Sequence, residues 1–284
     1  MINIITTSLL FIIIAPFVGG LITGLDRIIT ARMQGRFGPP ILQPFYDVLK
    51  LFEKDNLVVR RSQTIYILFY LLFMLFTGIL FFTGGDLLLV IFSLTLAAIF
   101  FVLAGYKGSS PYSYIGASRE LLQIMAYEPM VILSAVGMYM VTKTFYVADI
   151  ITSSVPLFIY LPGVVLGFLY VLTIKLRKSP FDLSTSHHGH QELVKGITTE
   201  YSGPALAIIE IVHWYELCII LGFLYLFFAA IPLLGLFMVV FCYFLEIVID
   251  NTFARLRWQH MLISSWLVTG TLGFINIVIL GFFL

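Results

Sequence analysis

Five acids and four of the five histidines of this 284-residue chain fall between Asp182 and Glu216. The stretch from 178 to 216 reads KSPFDLSTSHHGHQELVKGITTEYSGPALAIIEIVHWYE. Its last third turns apolar yet keeps Glu210, His213 and Glu216. On a helix these three fall within one sector of roughly 120°. Glu128 lies inside another apolar run, between Tyr127 and Pro129, and Glu246 and Asp250 form an i,i+4 pair near the end of a third. An acid at the centre of a membrane span costs roughly 2.5–3.5 kcal/mol, while each Leu, Ile or Phe returns only about 0.3–0.6. The acidic sector must therefore face other helices or water rather than lipid. The spans hold almost no Lys or Arg to pair with these acids. Carboxyls buried without cations have raised pKa values and exchange protons near neutral pH. The pattern points to a proton relay; the plainer alternative is a structural hydrogen-bond or ion-pair network.

Composition supplies the setting. The chain is 60% hydrophobic and 11% charged, with a mean hydropathy of +1.04. Soluble domains are nearer 45–50% apolar and about 25% charged, so this is an integral membrane protein. A net charge of +1 gives no bulk field for nucleic acid. Cys218 and Cys242 both sit in apolar runs and read as packing residues. With no CxxC, the chain cannot hold an iron–sulfur cluster alone.

Eight stretches have the length and apolarity of a span: about 3–25, 64–83, 86–104, 121–142, 157–175, 205–230, 232–250 and 262–284. Gly84-Gly85 makes a tight hairpin between the second and third, and Pro162 and Pro232 kink or cap the helices they enter. Fifteen of the sixteen basic residues lie on alternate loops, Lys143 being the exception. Those loops are cytoplasmic by the positive-inside bias, and both termini are then outside. The first segment has its positive charge after its apolar run, which is the reverse of a cleavable signal.

The expected fold is thus an all-α integral membrane protein of eight transmembrane helices forming a single membrane domain, 1–284. Cytoplasmic docking loops occupy 26–63 and 176–204. In the first, ILQPFYDVLKLFEKD alternates apolar and charged faces at helical spacing, an interfacial amphipathic helix or a docking surface for a soluble partner. Segment 105–120 reads as a loop, with Arg119-Glu120 at the membrane edge. His187, His188 and His190 have no suitable fourth ligand close by, which favours a solvated loop or partner contact over a metal. His260 marks a membrane edge. The membrane acids gather in the cytoplasmic half, whereas Asp86 and Asp149 stand at the outer surface; this suggests a half-channel entered from the cytoplasm.

Several motifs carry a resemblance over nearly the whole chain: DRIITARMQGRFGPPILQPFYDVLKLFEKD from Asp26, AYEP around Glu128, SPFDL at 179–183, QELVKG at 191–196 and TEYSGP at 199–204. The chain resembles the membrane-anchor family that includes the H subunit of respiratory complex I. GASRELLQIMAYEP, HQELVKGITTEYSGPALAIIE and HWYE are similar to the membrane component of group 4 energy-converting NiFe hydrogenases, the formate hydrogenlyase type among them. The complex I branch usually has another glutamate near His213, followed by Tyr; His-Trp-Tyr-Glu stands here instead.

The resemblance implies a subunit without a catalytic residue, metal or cofactor of its own. The NiFe centre and the iron–sulfur clusters would sit on partner large and small hydrogenase subunits, fed by a ferredoxin-type electron-transfer subunit. An antiporter-like membrane subunit would complete transport of H⁺ or Na⁺. Arg27, Arg32, Arg36, Asp47, Lys50, Glu53, Arg119, Glu120 and Asp182 would belong to the seat for these partners. Glu192 and Glu200 would link that seat to Glu210, His213, Glu216 and Glu128, with Glu246 and Asp250 in the same relay. The competing readings are the quinone-site H subunit of a complex I-type NADH:quinone oxidoreductase, a stand-alone ion or solute carrier, and a passive scaffold.

Overall fold

The computed structural model describes residues 2–55, 61–178, 180–181, 184, 195–254 and 256–283. Asp182, Glu192 and the histidines at 187, 188 and 190 lie outside the described residues. Helix dominates: α1 (Ile2–Met33), α2 (Gln43–Glu53), α3 (Arg61–Phe82), α4 (Leu87–Tyr106), α5 (Pro111–Thr142), α6 (Val147–Thr152), α7 (Leu157–Tyr160), α8 (Pro162–Lys175), α9 (Gly203–Leu226), α10 (Pro232–Thr252), α11 (Trp258–Val268) and α12 (Ile275–Phe283). A π-helical segment, Thr269–Phe274, joins the last two. Among the described residues, seven helices are long and apolar enough to cross a membrane. Contacts cluster into two units. The first comprises Met1–Ile79, Ser93–Leu121 and Asp182–Cys218; the second comprises Leu80–Phe92, Leu122–Phe181 and Ile219–Leu284.

In the first unit, α1 and α2 are set by close backbone approach. A Cβ on Gly24 would lie 2.1 Å from the Ile41 carbonyl oxygen, so only glycine lets the chain return beside α1 after its end. Pro44 sits in the first turn of α2, where its missing N–H has no helical partner to lose. Helix α2 buries Pro44 and Val48 and exposes Lys50 and Glu53, while Leu49 and Phe52 of the expected apolar face are also exposed. Val48 packs with Ala207 and Trp214 of α9, and Phe45 lies 5.2 Å from the Trp214 ring.

Two helices overrun their apolar cores. Both α1 and α5 have 32 residues, about 48 Å of helix against a hydrocarbon core of about 30 Å. The loop expected over 105–120 is therefore helix from Pro111 onward. Hydropathy marks where a helix becomes apolar; hydrogen bonding decides where it begins.

In the second unit, the expected hairpin at Gly84-Gly85 is present. Gly84 has φ +83°, and a Cβ there would meet that of Ala148 at 2.6 Å. Asp86 caps α4, its Oδ1 accepting from Leu88 N at 2.8 Å and Leu89 N at 3.2 Å.

The expected span at 157–175 is interrupted. Pro162 disfavours helical backbone in the residue before it, and Leu161 takes φ −120°, ψ 43°. Helix α8 restarts with Pro162 in its first turn and has only 14 residues, about 21 Å. An exposed break in lipid would strand backbone donors. Asn276 of α12 prevents this. Its Oδ1 accepts from Gly163 N at 3.1 Å and Val164 N at 3.2 Å, and its Nδ2 donates to the Tyr160 carbonyl at 3.3 Å. A Cβ on Gly163 would sit 2.5 Å from the Leu272 carbonyl of the π-helical segment, so the approach also needs a glycine.

Replacing Asn276 by Leu removes these bonds. Side-chain hydrogen bonds between membrane helices average about 0.6 kcal/mol each, so the loss should be about 1–2 kcal/mol. Thermal unfolding of the protein in detergent should show a lower midpoint for Asn276→Leu than for the unsubstituted protein.

Candidate functional site

Glu200 is the centre of the polar end of the first unit. Its carboxylate accepts from Ser109 N at 2.7 and 2.8 Å, from Ser110 N, and from Gln63 Nε2 at 2.9 Å. Ser109 and Ser110 immediately precede Pro111, so the acid caps the start of α5 from ninety-one residues away. A carboxylate at a helix N-terminus meets unsatisfied N–H groups and the positive end of the helix dipole. Gly108 leaves room for it, since a Cβ there would fall 2.5 Å from Glu200 Oε2.

The segment carrying Glu200 is pressed onto α4 and α5 by small residues. A Cβ on Gly116 would lie 2.2 Å from Ile197 N, and one on Gly105 would lie 2.7 Å from the Ile197 side chain. Ser113 Oγ reaches the carbonyls of Gly105 at 3.1 Å and Ile197 at 3.4 Å. Ser184 Oγ donates to Glu120, and Ile197 N donates to the Ser184 carbonyl at 3.3 Å. Arg119 and Glu120, expected at a membrane edge and in a partner seat, are buried within the chain. They lie two turns inside α5 because that helix starts earlier than hydropathy indicates.

Three side-chain atoms beside this knot, Gln63 Oε1, Tyr201 Oη and Ser202 Oγ, are buried and have no partner among the described residues. Burial and the neighbouring Glu200 carboxylate push the Tyr201 phenol above its ordinary value, so it stays a hydroxyl. Buried polar atoms of this kind are completed by ordered water. The arrangement suits a hydrated junction at the end of α9.

Helix α9 sorts its residues by face. Trp214 packs against Phe45, Tyr215 Oη donates to the Ile12 carbonyl at 2.6 Å, and Cys218 Sγ approaches the Ala15 carbonyl at 3.3 Å. This face meets α1 and α2. His213 instead lies edge-on to Tyr70 of α3, 6.5 Å between centroids, and to Phe101 of α4, 6.0 Å. The sector with Glu210 and His213 is half-buried and Glu216 is buried. The acidic sector is thus turned toward protein, as the insertion cost requires.

The remaining acids belong to the second unit. Glu128 is half-buried in α5, ahead of Pro129. Lys175 Nζ lies 2.9 Å from the hydroxyl of Tyr127, the residue before it. Glu246 is buried, and Asp250 stands one turn along α10. Lys178, expected in a docking loop, folds back to Asp250 at 3.7 Å. Asp250 therefore has the counter-cation that the sequence did not place near it.

Among the seat residues, Arg27, Arg32, Arg36, Lys50 and Glu53 are exposed and Asp47 is partly so. Arg27 Nη1 pairs with Asp47 Oδ2 at 2.7 Å, and Gln43 Nε2 donates to Asp47 Oδ1 at 2.8 Å. Burial raises the Asp47 carboxyl, but the Arg27 and Gln43 hydrogen bonds and the Arg27 and Lys50 charges outweigh it and hold the group below its usual 3.8. Among the described residues, no cluster of three or more His, Cys, Asp or Glu could hold a metal ion. Cys218 and Cys242 are free thiols.

The sequence reading missed Gln63, Ser109, Ser110 and Ser184. The signal was there for two of them: Ser-Ser-Pro ahead of a periodic segment is a helix-start signature. Gln63 and Ser184 carry no such mark.

Two outcomes follow from the geometry. Glu200→Gln sets an amide NH₂ against backbone donors and loses charge-assisted bonds worth about 1.5–3 kcal/mol. Hydrogen exchange at 105–112 should accelerate at least tenfold, while exchange in α1 stays unchanged. Asp47, with its depressed value, contributes stability above its unfolded pKa and loses it as pH falls through the folded one. Because the pair is exposed, Asp47→Asn at neutral pH should cost under about 1 kcal/mol by thermal unfolding.

Comparison with known proteins agrees with this architecture. Hydrogenase-4 component C of Escherichia coli K12 is 34% identical over 206 residues, 66% of this chain and 64% of that protein, so the match spans a little under two-thirds of the relative's length. Formate hydrogenlyase subunit 4 of the same organism is 27% identical over 72% of this chain and 69% of its own. The H subunit of NADH-quinone oxidoreductase from Syntrophotalea carbinolica is 27% identical over 89% of this chain and 88% of its own. A chain in the structure of the membrane-bound sulfane sulfur reductase, an archaeal respiratory membrane complex, superposes with a TM-score of 0.87 over 98% of this chain and 99% of that one, at 24% identity, and so shares the fold. Residues 5–281 match the NADH dehydrogenase family; this multi-pass membrane protein belongs to that family and is homologous both to hydrogenase membrane subunits and to the H subunit of complex I.

Proposed function

We propose that this chain is the membrane-anchor subunit of an energy-converting NiFe hydrogenase complex in the cytoplasmic membrane. The observation that carries this reading is the 34% identity to a hydrogenase component, set against 27% to the NADH-quinone oxidoreductase relative. Counting α7 and α8 as one crossing gives eight spans. The placement of basic residues supports both termini outside and the end of α1, helix α2 and the start of α5 in the cytoplasm.

Those ends form the seat for the peripheral arm. Phe37 is 90% exposed, with the Arg32 guanidinium 5.0 Å from its ring centroid and Arg36 beside it in sequence. An aromatic anchor flanked by arginines is the composition of a protein-docking hot spot. Exposed Tyr46, Leu49 and Phe52 on α2 extend the surface. The partners expected there carry the NiFe centre and iron–sulfur clusters and receive electrons from a ferredoxin-type protein; an antiporter-like subunit sits in the membrane.

Electrons do not pass through this chain. Its part is to hold and move protons. The Glu200 knot stands where the seat meets α9, and Glu210, His213 and Glu216 continue along that helix. Glu128 is the further acceptor proposed in α5, and Glu192 remains a proposed link. A redox-driven shift in the seat would loosen the Glu200 bonds and alter which acids hold protons. The Lys178 pair makes Asp250 a poorer carrier than the other acids, and Glu246 and Asp250 remain proposed members of the relay.

One observation favours a second reading, the H subunit of a quinone-reducing complex: that match covers 89% of the chain, against 66% for the hydrogenase component. Affinity purification of the tagged chain from native membranes separates the two. The hydrogenase reading expects a nickel-bearing large subunit in the particle; a particle with extractable quinone and no nickel overturns it. Within an intact particle, Glu210→Gln should lower redox-driven ion uptake into vesicles at least tenfold while particle composition stays constant. Unchanged uptake would leave a scaffold.

A further inference from the structure

The second unit contains a cavity of about 360 Å³ between α8, α10 and the chain at Pro180-Phe181. That volume lies in the range of small-ligand sites. Its wall is apolar, with Tyr170, Phe181, Cys242, Leu245 and Phe253 among the lining residues, and among the described residues Glu246 brings the one charged group of the lining. Glu246 is 2% exposed, and its Oε2 has no hydrogen-bond partner among the described residues. The polar groups around it are already engaged. Tyr170 Oη is 2.7 Å from Ser264 Oγ, Thr173 Oγ1 donates to the Tyr170 carbonyl at 2.7 Å, and Lys178 pairs with Asp250.

Lys178 and Asp250 act on Glu246 through their charges but leave its Oε2 without a hydrogen bond among the described residues, and a group that brings a hydrogen and a positive charge completes that oxygen well. Glu246 lies about 9 Å below the end of α10 at Thr252, within reach of the membrane interface. Phe253, which is 61% exposed, borders the cavity at that end. We propose that this cavity is a binding site for a membrane-partitioned amphiphile, its apolar chain against Tyr170, Phe181 and Leu245 and its amine head on the Glu246 carboxylate. The site is independent of the hydrogenase reading, because it uses neither the docking surface nor the Glu200 knot.

The head can come from an aminolipid of the bilayer or from a free long-chain amine. The test uses the intact complex holding this chain, reconstituted in nanodiscs, and a dodecylamine probe with a photoreactive diazirine in its chain. Labelled peptides are mapped by mass spectrometry. Labelling should concentrate within 169–181 and 242–253 and should fall at least fivefold in Glu246→Gln. It should fall similarly in Cys242→Phe, which fills the cavity and keeps the carboxyl. Suppression by phosphatidylethanolamine, compared with phosphatidylglycerol nanodiscs, identifies an aminolipid as occupant. Labelling unaffected by that lipid but competed by free dodecylamine identifies a free amine. A diazirine-bearing dodecane that labels these peptides equally well overturns the proposal, as does amine labelling that Glu246→Gln leaves unchanged in particles of normal composition.

Discussion

The polar end of the first unit depends on one carboxylate bound to one helix start. Glu200 satisfies the backbone N–H groups of Ser109 and Ser110, which have no partner within α5. That bond draws the segment at 195–201 over α4 and α5 and aligns the beginning of α9. Gly105, Gly108 and Gly116 permit the approach, and each would collide with the segment or with Glu200 if it bore a side chain. The anchor is therefore electrostatic in its strength and steric in its precision.

The second unit solves a different problem by similar means. Helix α8 begins inside what would otherwise be a single span, and a break at that depth exposes donors that lipid cannot satisfy. One asparagine side chain answers the donors on one side of the break and a carbonyl on the other. In both units, backbone groups left over at a helix start are completed by a side chain distant in sequence.

The position of the ionisable groups separates three jobs that look alike in the sequence. Glu210, His213 and Glu216 line a helix face turned to protein. Asp250 is held by a lysine. Glu246 borders an apolar cavity with one carboxyl oxygen free of hydrogen bonds among the described residues. All were equally buried acids, or a histidine among them, by hydropathy.

Much of the architecture is legible in the sequence. The membrane character, the helical class, helix α2, the Gly84-Gly85 turn and the inward-facing sector of α9 all follow from local properties: apolar run length, residue period and the backbone freedom of glycine. The family followed from motifs that stay together along the chain. Tertiary structure alone decided that α5 starts at Pro111, that Arg119 and Glu120 are buried, that Lys178 turns back on Asp250, and that Gln63 and Ser184 serve Glu200 and Glu120. These facts rest on pairs distant in sequence, where no period or run length carries the information. Which distant residue arrives at a helix start depends on how closely backbones can pack, and that is settled only when the helices are in place.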